Sequence, residues 1–105
     1  MSNDPVVLCF STELWRHQAG QSAWFFVTVP VAQSNEIRAE TEGLRAGFGS
    51  VRVSATIGTS TWHTSVFPES KSGQFMLPVK KAVRRAEDLE DGDVIDVTLE
   101  LVFTT

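Results

Sequence analysis

The sequence predicts a mainly β protein, a small closed or nearly closed six-stranded β-barrel with one or two short helices. Apolar and polar residues alternate with period two in six short segments, which is typical of strands that have one face in a core. Short loops join these segments, and few stretches have helical periodicity. Closure of the sheet would also remove the exposed edges that β-branched strands otherwise offer for aggregation.

The length and composition indicate one globular domain that covers residues 1–105. The net charge of −4 repels nucleic-acid backbones and anionic membranes, so either partner would have to bind a local basic patch. No run approaches the ~20 apolar residues that cross a bilayer, and the first residues lack the basic start of a signal peptide. We therefore expect a cytoplasmic protein with no membrane contact.

The first two predicted strands cover residues 6–15 and 23–30, with a polar turn between them at residues 16–22. Pro30 should end the second strand. The chain has a single cysteine, so an intramolecular disulfide is excluded and a reducing compartment is favoured. Because Cys9 lies among apolar residues, we expect it to be a small buried side chain.

A short helix is predicted over residues 34–42. Ser34 has the side chain of a typical N-cap, good helix formers follow it, and Gly43 provides a stop. Ile37 is nearly the only large apolar residue of this segment. The helix should therefore lie on the surface of the barrel with a narrow buried face.

The middle of the sequence predicts a hairpin and a fifth strand. Residues 51–58 alternate apolar and polar side chains, a short turn follows, and residues 61–68 return. A loop rich in Ser, Lys and Gly leads to a strand over residues 74–77. Gly47 and Gly49 precede a strand rather than a helix and lack a following Lys-Ser/Thr pair, so they do not indicate a phosphate loop.

A basic cluster follows in the sequence PVKKAVRRA at residues 78–86. Pro78 suits the first turn of a helix, and the apolar residues behind it are spaced as one buried helical stripe. The stripe consists of Val79, Ala82, Val83 and Ala86. The cations then share the outward side of the helix, and they are Lys80, Lys81, Arg84 and Arg85. Their clustering is a consequence of amphipathicity before it indicates an anion site.

Five acids follow the basic cluster and place the end of this helix near residue 86, because acids oppose the macrodipole at a helix C-terminus. Leu89 should anchor the acidic turn by pointing inward, and Gly92 should supply a positive φ angle. Residues 94–103 then alternate strictly and predict the sixth strand.

The sequence has few residue constellations that carry chemistry. Cys9, His17 and His63 are scattered singly, so no metal site and no cofactor are expected. His63 and Ser65 share one strand face, yet the strand-turn-helix context of a nucleophile elbow is missing. An enzyme is therefore the less favoured interpretation, although the sequence leaves it open.

Trp62 and His63 are adjacent, so one of the two must point out of the sheet. If Trp62 lies near the barrel mouth beside Ser65 and the helix cations, the group can hold a small anionic or aromatic ligand. In the alternative arrangement Trp62 caps the core and His63 is solvated. The candidate ligand-binding residues are Lys80, Lys81, Arg84, Arg85, Trp62, His63 and Ser65.

These features favour a non-catalytic binding or accessory module for a small anionic ligand or a partner protein. Nucleic-acid binding through the basic cluster is an alternative interpretation, and a small enzyme is a further one. The acidic total charge and the five acids beside the cluster weigh against nucleic acid.

Two family resemblances rest on these segments. The order of elements in FMLPVKKAVRRAEDLEDGDVIDVTLEL is similar to the swapped-hairpin barrels of AbrB-type transition-state regulators, a resemblance that implies DNA binding. Together with AWFFVTVP and GSVRVSATIGTSTWHTSVFP, the same segment resembles the bacterial DUF1905 family, a domain of unknown function. That closer resemblance implies a small closed β-barrel with a short helix, no established activity and no assigned site residues. Members of that family also occur fused to a segment similar to YdeI/OmpD-associated proteins.

Overall fold

A computed structural model describes residues 5–43 and 49–102 of the protein. In chain order its elements are β1 (Val7–Ala19), β2 (Ser22–Thr28), α1 (Val31–Glu40), β3 (Val51–Ile57), β4 (Ser60–Pro68), β5 (Phe75–Pro78), α2 (Lys81–Ala86) and β6 (Val94–Leu101). Gly47 and the predicted end of the last strand at residue 103 lie outside the described residues.

The six strands form a closed antiparallel barrel in the order β1-β2-β5-β4-β3-β6. β6 pairs with both β1 and β3 and so completes the barrel on that side. The two helices lie in the connections that join non-adjacent strands, β2 to β3 and β5 to β6. The predicted fold class, a six-stranded barrel with one or two short helices, is confirmed.

Alternate residues of the strands fill the barrel interior, as the period-two pattern predicts. In β3, every second residue from Val51 to Ile57 is buried, and β6 repeats the pattern from Ile95 to Leu101. The strands contribute these side chains to one continuous hydrophobic cluster.

The hairpin of β1 and β2 is longer than predicted. The predicted turn over residues 16–22 is wrong, because β1 runs to Ala19, β2 begins at Ser22, and only Gly20 and Gln21 form the turn. Gly20 adopts a φ of +61°, which a two-residue hairpin turn requires. The outer part of this hairpin, here called the ribbon (residues 16–24), is exposed on both faces. Its sequence therefore lacks the apolar alternation of a strand over a core.

α1 begins directly after Pro30, its N-cap, so the prediction that Ser34 caps the helix is wrong. Ser34 is buried within α1, where its hydroxyl donates to the carbonyl of Val29 (2.9 Å) and accepts from the amide of Phe75 (3.0 Å). The hydroxyl that predicted a cap thus joins α1 to the barrel. The narrow buried face is as predicted, since the buried residues of α1 are Ser34 and Ile37.

Pro78 ends β5 and does not open a helix, which corrects the prediction. It lies opposite Phe26, and Val79 then donates its amide to the carbonyl of Phe25 (2.9 Å). The chain is still extended at Lys80, the N-cap, and α2 starts directly after it. A proline lacks the amide that a ladder needs, so it is tolerated at the end of a strand as well as in a first helical turn.

The predicted apolar stripe of α2 is half correct. Val79 and Val83 are buried, whereas Ala82 and Ala86 are exposed. α2 is short and rests on the barrel through one narrow face, so small side chains beside that face remain in solvent. The spacing of apolar residues identifies those that can face a core, and the length of the helix determines how many of them are buried.

The acidic turn after α2 agrees with the prediction. α2 ends at Ala86, Leu89 packs against the core, and Gly92 has a φ of +93°. Asp88 also adopts a positive φ of 54°. These two left-handed positions let the chain reverse and enter β6.

Cys9 is exposed, contrary to the prediction that it is a core side chain. Leu8 and Phe10 face the core, so the alternation of a strand turns Cys9 outward. Its Sγ lies 3.7 Å from Oγ1 of Thr98 on β6. The apolar neighbours of Cys9 in the sequence are therefore not its neighbours in space.

Candidate functional site

The barrel has a short seam between β4 and β5. These strands pair only through Phe67 opposite Met76 and Pro68 opposite Phe75. The preceding part of β4, residues 60–66, pairs with β3 on one side and has no strand on the other side within the described residues. The seam widens there because β5 ends and the chain turns into α2.

α2 bridges the widened seam from β2 to the turn between β3 and β4. Beyond its far end, the carboxylate of Glu87 accepts hydrogen bonds from the hydroxyls of Ser60 (2.7 Å) and Thr59 (3.2 Å). The Ser60 hydroxyl is the main cause that holds the pKa of Glu87 below its usual range, and the contacts with Thr59 add to it. We call this group of hydrogen bonds the Glu87 latch.

A cleft of about 440 Å³ lies between the start of β2, the start of β4 and α2. This volume falls within the range of small-molecule sites. The cleft is lined by Ala23, Trp24, Phe25, Trp62, His63, Thr64, Pro78, Val79, Lys80, Lys81 and Arg84. The structure thus brings together five of the seven predicted site residues, from two segments that are distant in the sequence.

The walls of the cleft are aromatic. Trp62 belongs to the core cluster and is 9% exposed, whereas His63 on the same strand is exposed. The second of the two predicted arrangements is therefore the one found: Trp62 points into the core and His63 points to solvent. Trp24 on the ribbon is 54% exposed and lines the cleft together with Phe25. An indole that is half exposed at a cleft can stack on an apolar or aromatic ligand.

Two ammonium groups border these walls. Lys80 and Lys81 are exposed at the start of α2 and line the cleft. Their charges lie beside apolar surface, where an ion pair with a bound anion is less screened than in open solvent. The cleft therefore combines apolar surface with positive charge.

Arg84 also lines the cleft, but its guanidinium already contacts other groups of the protein. Its Cζ lies 3.9 Å from the centroid of the Phe25 ring, and its Nη1 donates to the carbonyl of Val79 (2.5 Å). Burial lowers the pKa of Arg84 below its usual range, yet the group stays protonated at neutral pH. The prediction that all four cations share the outward side is wrong for Arg84, because its planar guanidinium stacks on the aromatic ring.

Ser65 and Arg85 are not among the residues that line the cleft. Ser65 lies opposite Arg52 of β3, two positions beyond His63 along β4. Arg85 is exposed on α2, where the turn of the helix carries it away from the flank occupied by Lys81 and Arg84. Ser65 shares a strand face with His63, and Arg85 belongs to the basic cluster, but neither property brings the side chain into the cleft.

Sequence reasoning missed Trp24 and Phe25 as site residues. Once Phe25 is assigned to the inward face of β2, alternation turns Trp24 outward, and an outward tryptophan is the available signal. Trp15 packs at the base of the ribbon: its ring centroid lies 5.0 Å from that of Phe26, and its Nε1 donates to Oγ1 of Thr28 (3.0 Å).

Across residues 5–43 and 49–102, no group of three or more His, Cys, Asp and Glu side chains is placed to hold a metal ion. His17, His63 and Cys9 lie on different parts of the barrel surface, with His17 on the ribbon. No helix in the described part of the chain is long and apolar enough to cross a membrane.

The fold and the cleft together define a small antiparallel β-barrel with a mixed aromatic and basic site at its seam. The family model described as Domain of unknown function (DUF1905) matches residues 10–99, which is most of the chain. The protein therefore belongs to the DUF1905 family, as the resemblance of its segments predicted. A comparison with curated proteins found no match.

Proposed function

We propose that this protein is a non-catalytic binding module whose cleft takes a ligand with an anionic group and an apolar or aromatic part. The observation that carries the proposal is the meeting of Trp24 and Trp62 with Lys80 and Lys81 in one concavity. The apolar part would be removed from water against the half-exposed indole of Trp24, at roughly 25 cal/mol per Å² of buried apolar surface. The lysines would orient the anionic group.

The role of Arg84 supports a binding site more than a catalytic one. Its guanidinium is held against Phe25 and the Val79 carbonyl, so it shapes the wall and contributes positive potential. His63 lines the cleft, but Ser65, the nucleophile that the sequence pairs with it, lies outside the lining. This arrangement favours recognition over acyl transfer.

Calorimetric titration with 2-naphthoate and with its neutral analogue 2-naphthamide tests the proposal. We expect 2-naphthoate to bind more tightly, because the two molecules share the ring system and differ in charge. The double variant Lys80→Ala/Lys81→Ala should lose about tenfold in affinity for 2-naphthoate, as expected for two partly screened ion pairs.

Lys71→Ala is the matched control, since Lys71 is exposed in the loop between β4 and β5 and does not line the cleft. It should bind 2-naphthoate as the unmodified protein does. Equal affinities for 2-naphthoate and 2-naphthamide, or equal effects of the two lysine variants, would contradict the proposed function.

We also infer a bacterial, cytoplasmic location. The resemblance to a bacterial family supports the source, and the single cysteine, which is exposed and free, supports a reducing compartment. Alkylation of intact cells with a membrane-impermeant maleimide should leave Cys9 unmodified, whereas the same reagent should label it after lysis. Labelling before lysis would contradict this location.

A further inference from the structure

We propose that the ligand of the cleft is an extended acidic peptide that pairs with the free edge of β4 as an additional strand. The inference rests on the proposed function and names the class of ligand. Its starting point is the backbone of β4, which the binding of a small aromatic anion does not use.

The free edge of β4 lies in the wall of the cleft. Residues 60–66 pair with β3 on one side, and in the described part of the chain β5 joins the other side only from Phe67 onward. In an antiparallel strand, alternate residues direct their amide and carbonyl groups to opposite neighbours. Trp62, His63 and Thr64 of this edge line the cleft, so a peptide in the cleft would lie beside backbone groups that have no strand partner among the described residues.

An unpaired strand edge is a template for a further strand, and several peptide-binding domains use this mode of recognition. The edge here is short, and its residues 62–64 line the cleft. A peptide in this position would satisfy backbone groups that otherwise bond to water.

The side chains around the edge select the chemistry of the peptide. Lys80 and Lys81 border the cleft from α2, so a carboxylate beside them would gain charge-assisted hydrogen bonds. Trp24, which is half exposed in the cleft lining, would contact β-branched or aromatic side chains. Because side chains alternate along a strand, one face of the peptide would meet these apolar walls and the other would face solvent.

Lysines also blunt free strand edges in proteins that avoid aggregation. That role would account for Lys80 and Lys81 without a peptide ligand, and it predicts that the protein does not enrich extended peptides. Selection from a peptide library separates the two roles.

A random octapeptide display library is selected against the full chain and, in parallel, against Lys80→Ala/Lys81→Ala. We expect the unmodified chain to enrich peptides with apolar residues at alternate positions and an acidic residue near one end. The double variant should bind these peptides at least tenfold more weakly. No enrichment, or equal binding to both proteins, would overturn the inference.

Strand pairing is tested on the enriched peptide by N-methylation. One version carries N-methyl groups on its odd-numbered amides and the other on its even-numbered amides. A peptide paired through one edge should lose more than tenfold in affinity in one version and retain binding in the other. Equal loss or equal retention in both versions would overturn strand pairing.

Hydrogen exchange locates the peptide on the protein. Alternate amides within residues 60–66 should exchange at least tenfold more slowly in the complex, and unchanged exchange there would overturn the inference. The 2-naphthoate titration is run on the same protein. Binding of 2-naphthoate without peptide enrichment overturns the peptide inference alone, and absence of both overturns the proposed function as well.

Discussion

At the scale of single residues, the four cations of α2 have different surroundings. Lys80, Lys81 and Arg85 are exposed, whereas Arg84 lies over the ring of Phe25 and bonds to the backbone. An arginine can make both contacts at once because its guanidinium is planar and carries several donors. Side chains that are equivalent in the sequence therefore separate into exposed ones and one that packs on the barrel.

Replacement of Arg84 should test its structural role. Arg84→Met keeps the length of the side chain but removes the cation over Phe25 and the hydrogen bond to Val79. We expect a loss of about 1–2 kcal/mol in the free energy of unfolding, measured by urea titration. Arg85→Met is the control and should leave the midpoint unchanged. An equal midpoint for both variants would show that the contacts of Arg84 do not stabilise the fold.

Ser34 provides a second test at this scale. It is 1% exposed, and its one hydroxyl contacts the backbone of Val29, directly after β2, and of Phe75 in β5. Ser34→Ala leaves the amide of Phe75 without that acceptor, so we expect a loss of about 1–3 kcal/mol in urea titration. Ser54→Ala on β3, which is half-buried and opposite His63, is the control. A loss no larger than that of Ser54→Ala would contradict the role of Ser34.

At the scale of elements, the structure depends on how α2 is held across the seam. The Glu87 latch fixes its far end to the β3-β4 turn, and the contact of Val79 with Phe25 fixes its start. The turn has Gly58 with a φ of +59°, and a Cβ at this position would overlap the carboxylate of Glu87. A glycine at position 58 therefore leaves the space that the carboxylate of Glu87 occupies in the latch.

The Glu87 latch predicts a pH dependence of stability. Hydrogen bonds to its charged form lower the pKa of Glu87 below its usual 4.5. The latch thus stabilises the fold above pH 4.5, and this stabilisation is lost as the pH falls through the lower folded-state pKa. The melting temperature of Glu87→Gln should be lower than that of the unmodified protein at pH 7, and this gap should narrow at pH 3.

Glu69 has a lowered pKa as well, chiefly through the backbone amide of Lys71, so its protonation affects stability in the same pH range. Glu69→Gln therefore serves as the comparison. We expect Glu87→Gln, but not Glu69→Gln, to weaken 2-naphthoate binding at pH 7, because only Glu87 holds α2 at the cleft. An undiminished gap in melting temperature between Glu87→Gln and the unmodified protein at pH 3 would contradict the latch.

The ribbon is the second element that builds the site. Trp24→Ala removes a wall of the cleft from a position that is half exposed, so we expect weaker 2-naphthoate binding by calorimetry with little change in melting temperature. Val94→Ala is the control, since Val94 is an exposed apolar residue at the start of β6. Equal affinity of Trp24→Ala and Val94→Ala for 2-naphthoate would show that the ribbon does not contribute to the site.

The strands could be predicted from the sequence because a residue on a strand faces either the core or solvent, and this alternation is local. The period of β6 and the hairpin of β3 and β4 are examples. The ribbon and the position of Ser34 could not be predicted, since both depend on segments that meet only in the fold. The cleft was half predictable: the basic cluster and Trp62 stand out, whereas Trp24 joins them only through strand order.

At the scale of the whole molecule, closure of the barrel and the position of the cleft are linked. The short pairing of β4 with β5 completes the barrel, and the chain's departure into α2 leaves the cleft beside it. The net charge of −4 disfavours polyanions at long range, whereas in the proposed function Lys80 and Lys81 would attract a small anionic group locally. The cleft beside the closed barrel is the place where the proposed ligand would bind.

Amide chemical shifts recorded by NMR during titration with 2-naphthoate test most directly whether the ligand binds in the cleft at the seam. We predict that the largest shifts fall on three segments, residues 23–25 of β2, 62–64 of β4 and 79–84 around α2, and that they shrink in Lys80→Ala/Lys81→Ala. Shifts that spread over the outer barrel surface, or that are equal in the double variant, would contradict a binding site at the seam.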